Sequence, residues 1–352
     1  EYKITVIDIY GVDASGHENV IDLSGILSLS RFLSSKFIGF TAWHSFSFNV
    51  QEGLKKFYGI EISWSWIYSH VYFHQKMIAL LTKILVKLKR PKFIFYTDTA
   101  CFSSLVEMSK KKKLVTVDFQ HALQSGQNIL YRHHPKLINK YRNFISDYTL
   151  TFGDYWNKYF PSIYSTHSIG NSYHEFLIKN HKNVKQSPKA VTIISDGEMA
   201  REALEKLALG IVRKIPEIDI FYKLRQEEFS YWKDLYSKEI QETDRITFVS
   251  NNKKNLYHYL KLSEYVIGIN STALIEALPL SNVLIYETGW FIEFMDFIES
   301  GHVLSAPNVE GIVEIIKNKR TPKRYLRIEE IFKSKAAYNL ESFVKKLNRK
   351  RA

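Results

Sequence analysis

The residues best suited to acid–base chemistry follow a predicted strand at residues 114–119, with the sequence LVTVDF. The strand contains Asp118 and is followed by Gln120 and His121. An imidazole has an ordinary pKa of about 6.5, so His121 is suited to take a proton from a hydroxyl group near neutral pH. Asp118 is the alternative base, or it orients the imidazole. Gln120 and Gln124 are then expected on the acceptor side, unless these polar residues only close the strand end with hydrogen bonds.

A second polar group follows a strand predicted at residues 190–195. It consists of Ser195, Asp196, Gly197 and Glu198. A glycine can adopt a positive φ and allows close backbone approach, and amides at a strand-to-helix turn can hold a phosphate. The acids could hold a ribose or a base. An Asp-Gly turn that simply starts a helix is the alternative interpretation.

Two cations follow the strand predicted at residues 218–224. Lys223 and Arg225 alternate along an extended segment and are expected to point to the same side. Two cations at the carboxyl end of a strand suit a phosphate or diphosphate. A salt bridge to Glu227 or Glu228 is the alternative role for these cations.

The feature most typical of a phosphate site follows the strand predicted at residues 265–269. Asn270, Ser271 and Thr272 open a predicted helix, and Glu276 comes one turn later. Free backbone amides at a helix start, together with two hydroxyl groups, can bind an anion and stabilise a departing phosphate. A plain helix N-cap is the competing interpretation.

Alternating strands and helices must position these four groups. Strands are predicted at residues 3–9, 37–40, 93–96, 114–119, 148–152, 190–195, 218–224, 246–249, 265–269 and 283–286. Helices are predicted at residues 69–89, 100–109, 199–214, 256–262, 271–278, 291–300 and 309–318. This alternation is typical of doubly wound parallel sheets, in which ligands bind beyond the carboxyl ends of the strands.

The length of 352 residues suggests more than one domain. A polar stretch at residues 180–189 is the predicted linker. We therefore predict a Rossmann-like, acceptor-side domain at residues 1–175 and a Rossmann-like, nucleotide-donor-binding domain at residues 185–325. The two are expected to face each other across a cleft, followed by a basic helical extension at residues 326–352.

The composition is that of a globular protein, with 45% hydrophobic and 24% charged residues. The single cysteine, Cys101, excludes an internal disulfide and a cysteine-cluster zinc site, which fits a cytoplasmic location. We see no paired-Asp motif for a metal-bound nucleotide, so no metal and no cofactor are expected, and a nucleotide-sugar would be the co-substrate.

The net charge of +13 implies attraction to something anionic. Basic residues cluster at Lys83, Lys87 and Arg90, at residues 110–113 and near the C-terminus. They form either a solvated basic surface or a peripheral docking surface for an anionic membrane. No zinc finger, RNA-recognition signature or helix-turn-helix pattern is present, so no nucleic-acid partner is expected.

The order and spacing of these motifs resemble those of bacterial GT-B-type glycosyltransferases of surface polysaccharide assembly, over residues 84–317. That family typically reads E-x-Q-H-G, where residues 118–122 read DFQHA. It continues with D-Y-x-L-T-F-G-x-Y-W, found at residues 147–156, and with I-G-N, found at residues 169–171. A G-x-x-S-T-x-x-x-E-A segment then matches residues 268–277.

This chain departs from the family pattern at two places. Ala122 stands where glycine is usual, and residues 224–226 stand where a His-Pro step is expected. In the related acidic-sugar transferases, that histidine is thought to contact the donor phosphate. Arg225 could replace it as a cation.

The resemblance implies a metal-independent, inverting glycosyltransferase with a GT-B-like fold. It would move a sugar from a CMP- or UDP-activated donor to a glycan or glycolipid acceptor of a capsule or lipopolysaccharide, on the cytoplasmic side of the membrane. Three alternatives remain: a glycerophosphate-type transferase of wall polymers, a sugar-nucleotide epimerase, and a non-catalytic sugar-nucleotide-binding protein. An epimerase would share the two-lobed fold, but it would need acids at the sugar ring and no acceptor.

Overall fold

A computed structural model describes residues 6–8, 20–22, 52, 55–56, 74–97, 102–126, 131, 138–251, 253–289, 291–323 and 327–349. The strand predicted at residues 37–40 and Cys101 lie outside the described residues. By its contacts, the chain divides into two units. One comprises Glu1–Phe119 with His134–Tyr148, and the other Gln120–His133 with Thr149–Ala352.

The first unit contains short parallel strand pairs and the helices beside them. Its elements are β1 (Val6–Asp8), β2 (Val20–Asp22), α1 (His74–Lys89), β3 (Phe93–Thr97), α2 (Ser103–Lys111), β4 (Val115–Phe119) and α3 (Ile138–Tyr141). Strand β1 pairs with β2 and β3 pairs with β4, both in parallel. Helix α1 ends at Lys89. The next residue, Arg90, has a positive φ of 46° and precedes Pro91, a residue that does not continue a helix.

The second unit begins with small elements and continues into a large sheet. Its strands are β5 (Tyr148–Thr151, whose first residue belongs to the first unit), β6 (Thr166–Ser168), β7 (Ser187–Ile194), β8 (Asp219–Lys223), β9 (Ile246–Val249), β10 (Ser263–Gly268), β11 (Asn282–Tyr286) and β12 (Leu304–Ala306). Its helices are α4 (Asp154–Asn157), α5 (Ser172–Asn180), α6 (Arg201–Lys214), α7 (Trp232–Leu235), α8 (Lys238–Gln241), α9 (Leu256–Leu262), α10 (Thr272–Ala277), α11 (Met295–Glu299), α12 (Val309–Lys317), α13 (Ile328–Ile331) and α14 (Ala336–Arg349).

Both main sheets are parallel, which confirms the predicted α/β fold class. Strands β3 to β6 follow one another in a four-stranded sheet. The six-stranded sheet has the order β12-β11-β10-β7-β8-β9. The chain therefore starts at β7 in the middle, adds two strands on one side, and returns to add three on the other. This is the Rossmann order, and its direction reverses between β7 and β10.

The core of the six-stranded sheet explains why β7 reads as a continuous apolar run. Val191 and Ile193 are fully buried, and they share one hydrophobic cluster with Leu204, Leu207 and Ile211 of α6. A parallel strand covered on both faces needs apolar residues at every position rather than at alternate ones. Burying each such side chain contributes about 1.5–3 kcal/mol.

The C-terminal helices pack on the segment that runs from the end of β5 into α5. The fully buried Trp156 donates from its indole Nε1 to the carbonyl oxygen of Ile331 at 2.7 Å. The carboxylate of Glu175 accepts from the backbone N–H of Ala336 at 3.2 Å. Asn339 Nδ2 donates to the carbonyl oxygen of Ile169 at 3.0 Å. The predicted helical extension thus includes α13 and α14, and these hydrogen bonds dock it.

Within the described part of the chain, no helix combines the length and the apolar character needed to cross a bilayer.

Candidate functional site

The candidate site lies at the carboxyl edge of the six-stranded sheet, where β7 and β10 are neighbours. Asp196 follows β7, and Asn270 follows β10. In a sheet of this order, the loops on the two sides of the reversal point lead away from each other. The crevice they leave is where such folds bind ligands.

Asp196 ties together the loops that follow three of the strands. Its Oδ2 accepts from the backbone N–H groups of Asn270 at 2.8 Å and Ile269 at 3.2 Å. Its Oδ1 lies 3.5 Å from a terminal guanidinium nitrogen of Arg225, and its side chain is only 9% exposed. Burial raises the pKa of Asp196, while the amide donors and the Arg225 charge oppose that rise. Asp196 therefore organises this edge of the sheet.

Arg225 is held by its backbone while its side chain remains accessible. Its N–H donates to Oε2 of the buried Glu228 at 2.7 Å, and Tyr236 donates its hydroxyl to Oε1 of the same carboxylate at 2.9 Å. The guanidinium side chain is 50% exposed. Glu228 thus fixes the turn through the peptide group, and the charge of Arg225 faces Asp196 and solvent. The predicted alternative pairing of the Arg225 side chain with Glu228 is not the contact that forms.

Gly197 occupies a backbone conformation reserved for glycine, with φ 78° and ψ −164°. A Cβ added there would lie 3.9 Å from Cδ of Arg225. Ser195 is buried, and its Oγ accepts from the N–H of Gly197 at 3.1 Å. Glu198 is exposed and begins a 3₁₀ turn. Ser195 therefore shapes the turn, and Glu198 is its accessible acid.

Lys223 and Arg225 have different partners. The Lys223 ammonium lies 4.6 Å from the centre of the Phe229 ring and donates to the carbonyl oxygen of Leu224 at 3.1 Å. Burial lowers the pKa of Lys223, and the charge of Glu228 opposes this shift. The cation that the structure places beside Asp196 is Arg225.

The start of α10 is capped by its own sequence. Ser271 Oγ accepts from the N–H of Ala273 at 3.4 Å, and the amide of Asn270 is already bonded to Asp196. Thr272 is half-buried at the first helical position. The helix has only six residues, so its dipole is small. These contacts are those of the N-cap alternative.

The side chain of Asn270 links a further acid to the site. Asn270 hydrogen-bonds Glu293, whose pKa is raised by burial. The other end of the carboxamide, Oδ1, is buried and has no hydrogen-bond partner within the described residues. A buried acceptor normally has a donor, so this atom is suited to receive one from a ligand hydroxyl.

Glu276 belongs to a separate buried chain of polar groups. Its carboxylate is hydrogen-bonded by Tyr257, and the Tyr257 hydroxyl lies 2.7 Å from Nδ1 of His174. The His174 ring also stacks on Phe332, with 4.0 Å between ring centres. Burial raises the pKa of Glu276 and lowers the pKa of His174 to about 4. The histidine is therefore neutral near pH 7.

We expect the stability of the protein to fall as the pH drops from about 6.5 towards 4, in part because of His174. The folded state holds this histidine at a pKa of about 4, while the unfolded chain binds the proton near the ordinary value. The stabilisation is complete above the unfolded pKa and is lost below it, by roughly 3 kcal/mol across the window. Melting curves against pH should show a shallower dependence for His174→Gln. The control, His181→Gln, should retain the wild-type slope, and equal slopes in all three proteins would contradict the assignment.

The residues predicted around the end of β4 differ sharply in exposure. Asp118, Gln120 and Gln124 are buried, whereas His121 is exposed. Gln120 Oε1 accepts from the N–H of Phe152 at 2.9 Å, and its Nε2 donates to a carbonyl oxygen of the following loop at 3.0 Å. Gln120 thus fixes the loop, and His121 is the member of this group that a substrate can reach.

The loop that carries His121 is anchored in the same core as α10. Leu123 is buried and belongs to the hydrophobic cluster that also contains Ala273 and Leu274. The loop is therefore packed into the part of the molecule that holds the Asn270 end of the site. Within the described residues, no group of three or more His, Cys, Asp or Glu side chains is arranged to hold a metal ion.

The fold of this chain is similar to that of several solved UDP-GlcNAc 2-epimerases. The UDP-GlcNAc 2-epimerase of Methanocaldococcus jannaschii, in complex with UDP-GlcNAc and UDP, matches with a TM-score of 0.56 and 14% identity, covering 79% of this chain and 81% of that chain. The UDP-GlcNAc 2-epimerase of Neisseria meningitidis bound to UDP-GlcNAc matches with a TM-score of 0.55 and 14% identity, covering 79% of this chain and 81% of that chain. A structure from Listeria monocytogenes described as a UDP-N-acetylglucosamine 2-epimerase matches with a TM-score of 0.55 and 12% identity, covering 79% of this chain and 80% of that chain. No protein-family model matches the chain, and no curated protein matches it in sequence.

These matches correct the functional prediction from the sequence. The interpretation of the chain as a glycosyltransferase with a glycan or glycolipid acceptor is wrong, because the matching structures favour the sugar-nucleotide epimerase alternative. The physical reason for the error is that both enzyme classes use the same two-lobed fold. The order of motifs along the chain predicts where the strands of the fold end, but it does not identify the reaction that the protein catalyses.

The sequence analysis missed Glu293, which belongs to the site, and it also missed Tyr257 and His174, which form the separate buried chain with Glu276. Glu293 comes seven residues after β11 ends, so a wider search beyond the carboxyl ends of the strands would have included it. Tyr257 and His174 lie 83 positions apart and meet only through tertiary packing. No local signal in the sequence connects them.

Proposed function

We propose that the chain is a sugar-nucleotide epimerase that acts on a UDP-activated N-acetylamino sugar. The observation that carries the proposal is the group formed by Asp196, Arg225, Asn270 and Glu293. It lies at the reversal point of a Rossmann-ordered sheet, in a chain whose fold matches that of UDP-GlcNAc 2-epimerases.

The chemistry of this group suits such a substrate. Arg225 offers an accessible guanidinium for a diphosphate, because its planar fork matches phosphate oxygens. The buried Oδ1 of Asn270 and the carboxyl group of Glu293 can accept hydrogen bonds from hydroxyl groups of the ligand. The site thus has one end for phosphate and another for hydroxyls.

Inverting a ring carbon by proton exchange requires a base that removes the proton while the electron pair expels the nucleoside diphosphate from the neighbouring carbon. It also requires an acid that returns a proton to the opposite face as the diphosphate adds back. His121 is exposed, and an imidazole can act as either a base or an acid near neutral pH. Burial raises the pKa of Glu293, so this carboxyl group also holds a proton at higher pH than usual. Both groups belong to the same structural unit.

Solvent isotope exchange tests the activity directly. The protein is incubated with UDP-N-acetylglucosamine in D₂O, and the sugar is followed by proton NMR and mass spectrometry. We expect a second UDP-sugar with one inverted centre and one deuterium at that carbon. Absence of an epimer, with UDP-sugar binding retained, would contradict the proposal in favour of a non-catalytic binding protein.

Removing the positive charge of Arg225 should weaken UDP binding. A lost hydrogen bond between charged groups costs about 1.5–3 kcal/mol, so Arg225→Ala should raise the Kd by roughly 10–150-fold in calorimetric titrations. Arg245→Ala is the matched control. Arg245 pairs with Asp219 at 2.7 Å and is also 50% exposed, but Asp219 begins β8 at the opposite edge of the sheet. An equal loss of affinity in both variants would count against a phosphate site at Arg225.

We further propose a cytoplasmic location with peripheral contact to the inner face of the cell membrane, and a product that enters bacterial surface polysaccharide such as capsule or lipopolysaccharide. The motif resemblance over residues 84–317 supports the proposal that the product enters surface polysaccharide. The net charge of +13 supports contact with an anionic surface.

A further inference from the structure

Helix α1 has one buried face and one exposed face. Ile78 and Thr82 are buried, and the helix packs against α2. The opposite face exposes three large apolar side chains: Leu80 is 49% exposed, Ile84 45% and Leu88 71%. Residues four positions apart lie one above the other on a helix, so these three form a continuous apolar stripe.

Lysines border this stripe. Lys83 and Lys87 each follow a stripe residue by three positions, so both lie on the same side of it. The helix sequence HQKMIALLTKILVKLK contains no acidic residue. Within the described part of the chain, neither Lys83 nor Lys87 forms an ion pair, and both are exposed. The outward face is therefore apolar along its centre and cationic along its edge.

We infer that α1 is the element that docks this protein on an anionic lipid bilayer. Leu80, Ile84 and Leu88 enter the boundary between head groups and acyl chains, and the lysines reach the lipid phosphates. This combination of a narrow apolar stripe and uncompensated lysines is the pattern of helices that lie in the plane of a membrane interface. A long lysine side chain can extend from the helix to the head groups while its stem covers apolar surface.

The charge pattern favours a bilayer over a protein partner. A partner groove would need an apolar floor beside a row of acidic side chains at matching spacing. An anionic bilayer supplies both features everywhere on its surface, and each lysine near it adds attraction. The inference rests on the proposed peripheral location and is independent of the reaction, because α1 contributes no residue to the candidate site.

Vesicle co-sedimentation of the full chain tests this inference. Vesicles contain equal parts phosphatidylcholine and phosphatidylglycerol, or phosphatidylcholine alone. We expect binding to the anionic vesicles only, and a decrease as the salt concentration rises. The variant Lys83→Gln with Lys87→Gln should bind about 30-fold more weakly. The control, Lys206→Gln with Lys238→Gln, removes the same charge from exposed positions elsewhere and should stay within about 3-fold of the wild type.

The apolar stripe is tested separately by Leu80→Ser with Ile84→Ser, which keeps every charge. We expect binding to fall at least 10-fold at low salt, because two buried side chains are lost from the interface. Melting curves confirm that each variant is folded, and isotope exchange on UDP-N-acetylglucosamine measures the enzyme separately. Unchanged binding of the serine variant, equal loss in the lysine control, or equal binding to neutral vesicles would each overturn the inference. If the wild-type protein binds anionic vesicles as expected but shows no isotope exchange, that result would count against the proposed epimerase activity and not against membrane docking.

Discussion

Replacing His121 with alanine is expected to lower the rate of epimerisation by roughly 10²–10⁴-fold, the usual contribution of a positioned acid–base group. Among the polar residues around the end of β4, His121 is the exposed one, while Asp118, Gln120 and Gln124 are buried. It follows the carboxyl end of a parallel strand, where substrates bind in such folds. The loss should appear in kcat, because the role proposed for His121 is proton exchange and not nucleotide binding.

Three measurements on each variant separate the possible roles of His121. These are the rate of isotope exchange, the Kd for UDP and the Tm. His121→Ala should change only the first. Asp118→Asn should mainly lower the Tm, because Asp118 is buried in β4. A normal exchange rate in His121→Ala, with a lost rate and a normal Tm in Asp118→Asn, would transfer the acid–base role to Asp118.

The substitution Gly153→Ala is expected to cause a large loss of stability. A Cβ at this position would lie 2.2 Å from the carbonyl oxygen of Glu330 and 2.6 Å from that of Ile331. Both obstacles are backbone atoms, so relief requires α13 to move away. That movement also removes the buried hydrogen bond from Trp156 to Ile331. Overpacking and the lost bond together cost at least about 3 kcal/mol, or about 6–12 °C in Tm.

Gly289→Ala is the matched control for this substitution. Gly289 has a φ of 58°, but a Cβ there would meet nothing within 4 Å. Its replacement therefore lowers the stability only through the strain of an alanine in the left-handed conformation, about 1–2 kcal/mol. Gly153 has an extended φ of −166°, which alanine also adopts, so its cost comes from space alone. Differential scanning calorimetry should rank Gly153→Ala well below Gly289→Ala, and the reverse order would show that α13 yields easily.

Most of the fold could be predicted from the sequence where apolar runs are continuous. The run predicted at residues 190–195 overlaps β7, which ends one residue earlier at Ile194, and the run at residues 114–119 contains β4. The sequence did not reveal β6, because its three residues, THS, are polar and half-buried. That strand exists through its pairing with β5, which is a tertiary interaction.

The candidate site could be predicted as a set of residues but not as a network. Asp196 and Arg225 were each assigned to ligand binding, and the structure shows that they face one another at 3.5 Å. Their strands are neighbours in the sheet, and strand order does not appear in any local pattern. The amide of Asn270, expected to be free for a phosphate, is bonded to Asp196 for the same reason.

The docking of Trp156 on Ile331 has a consequence for how the protein is made. The two residues are 175 positions apart, so the ribosome delivers the acceptor carbonyl long after the indole. At about 5–20 residues per second, that interval is roughly 9–35 seconds. During this time Phe152 and Trp156 are without Phe332 and Ile331, which later cover them. The nascent chain therefore carries an exposed aromatic surface while these 175 residues are made, and this surface is a natural binding site for chaperones that recognise apolar segments.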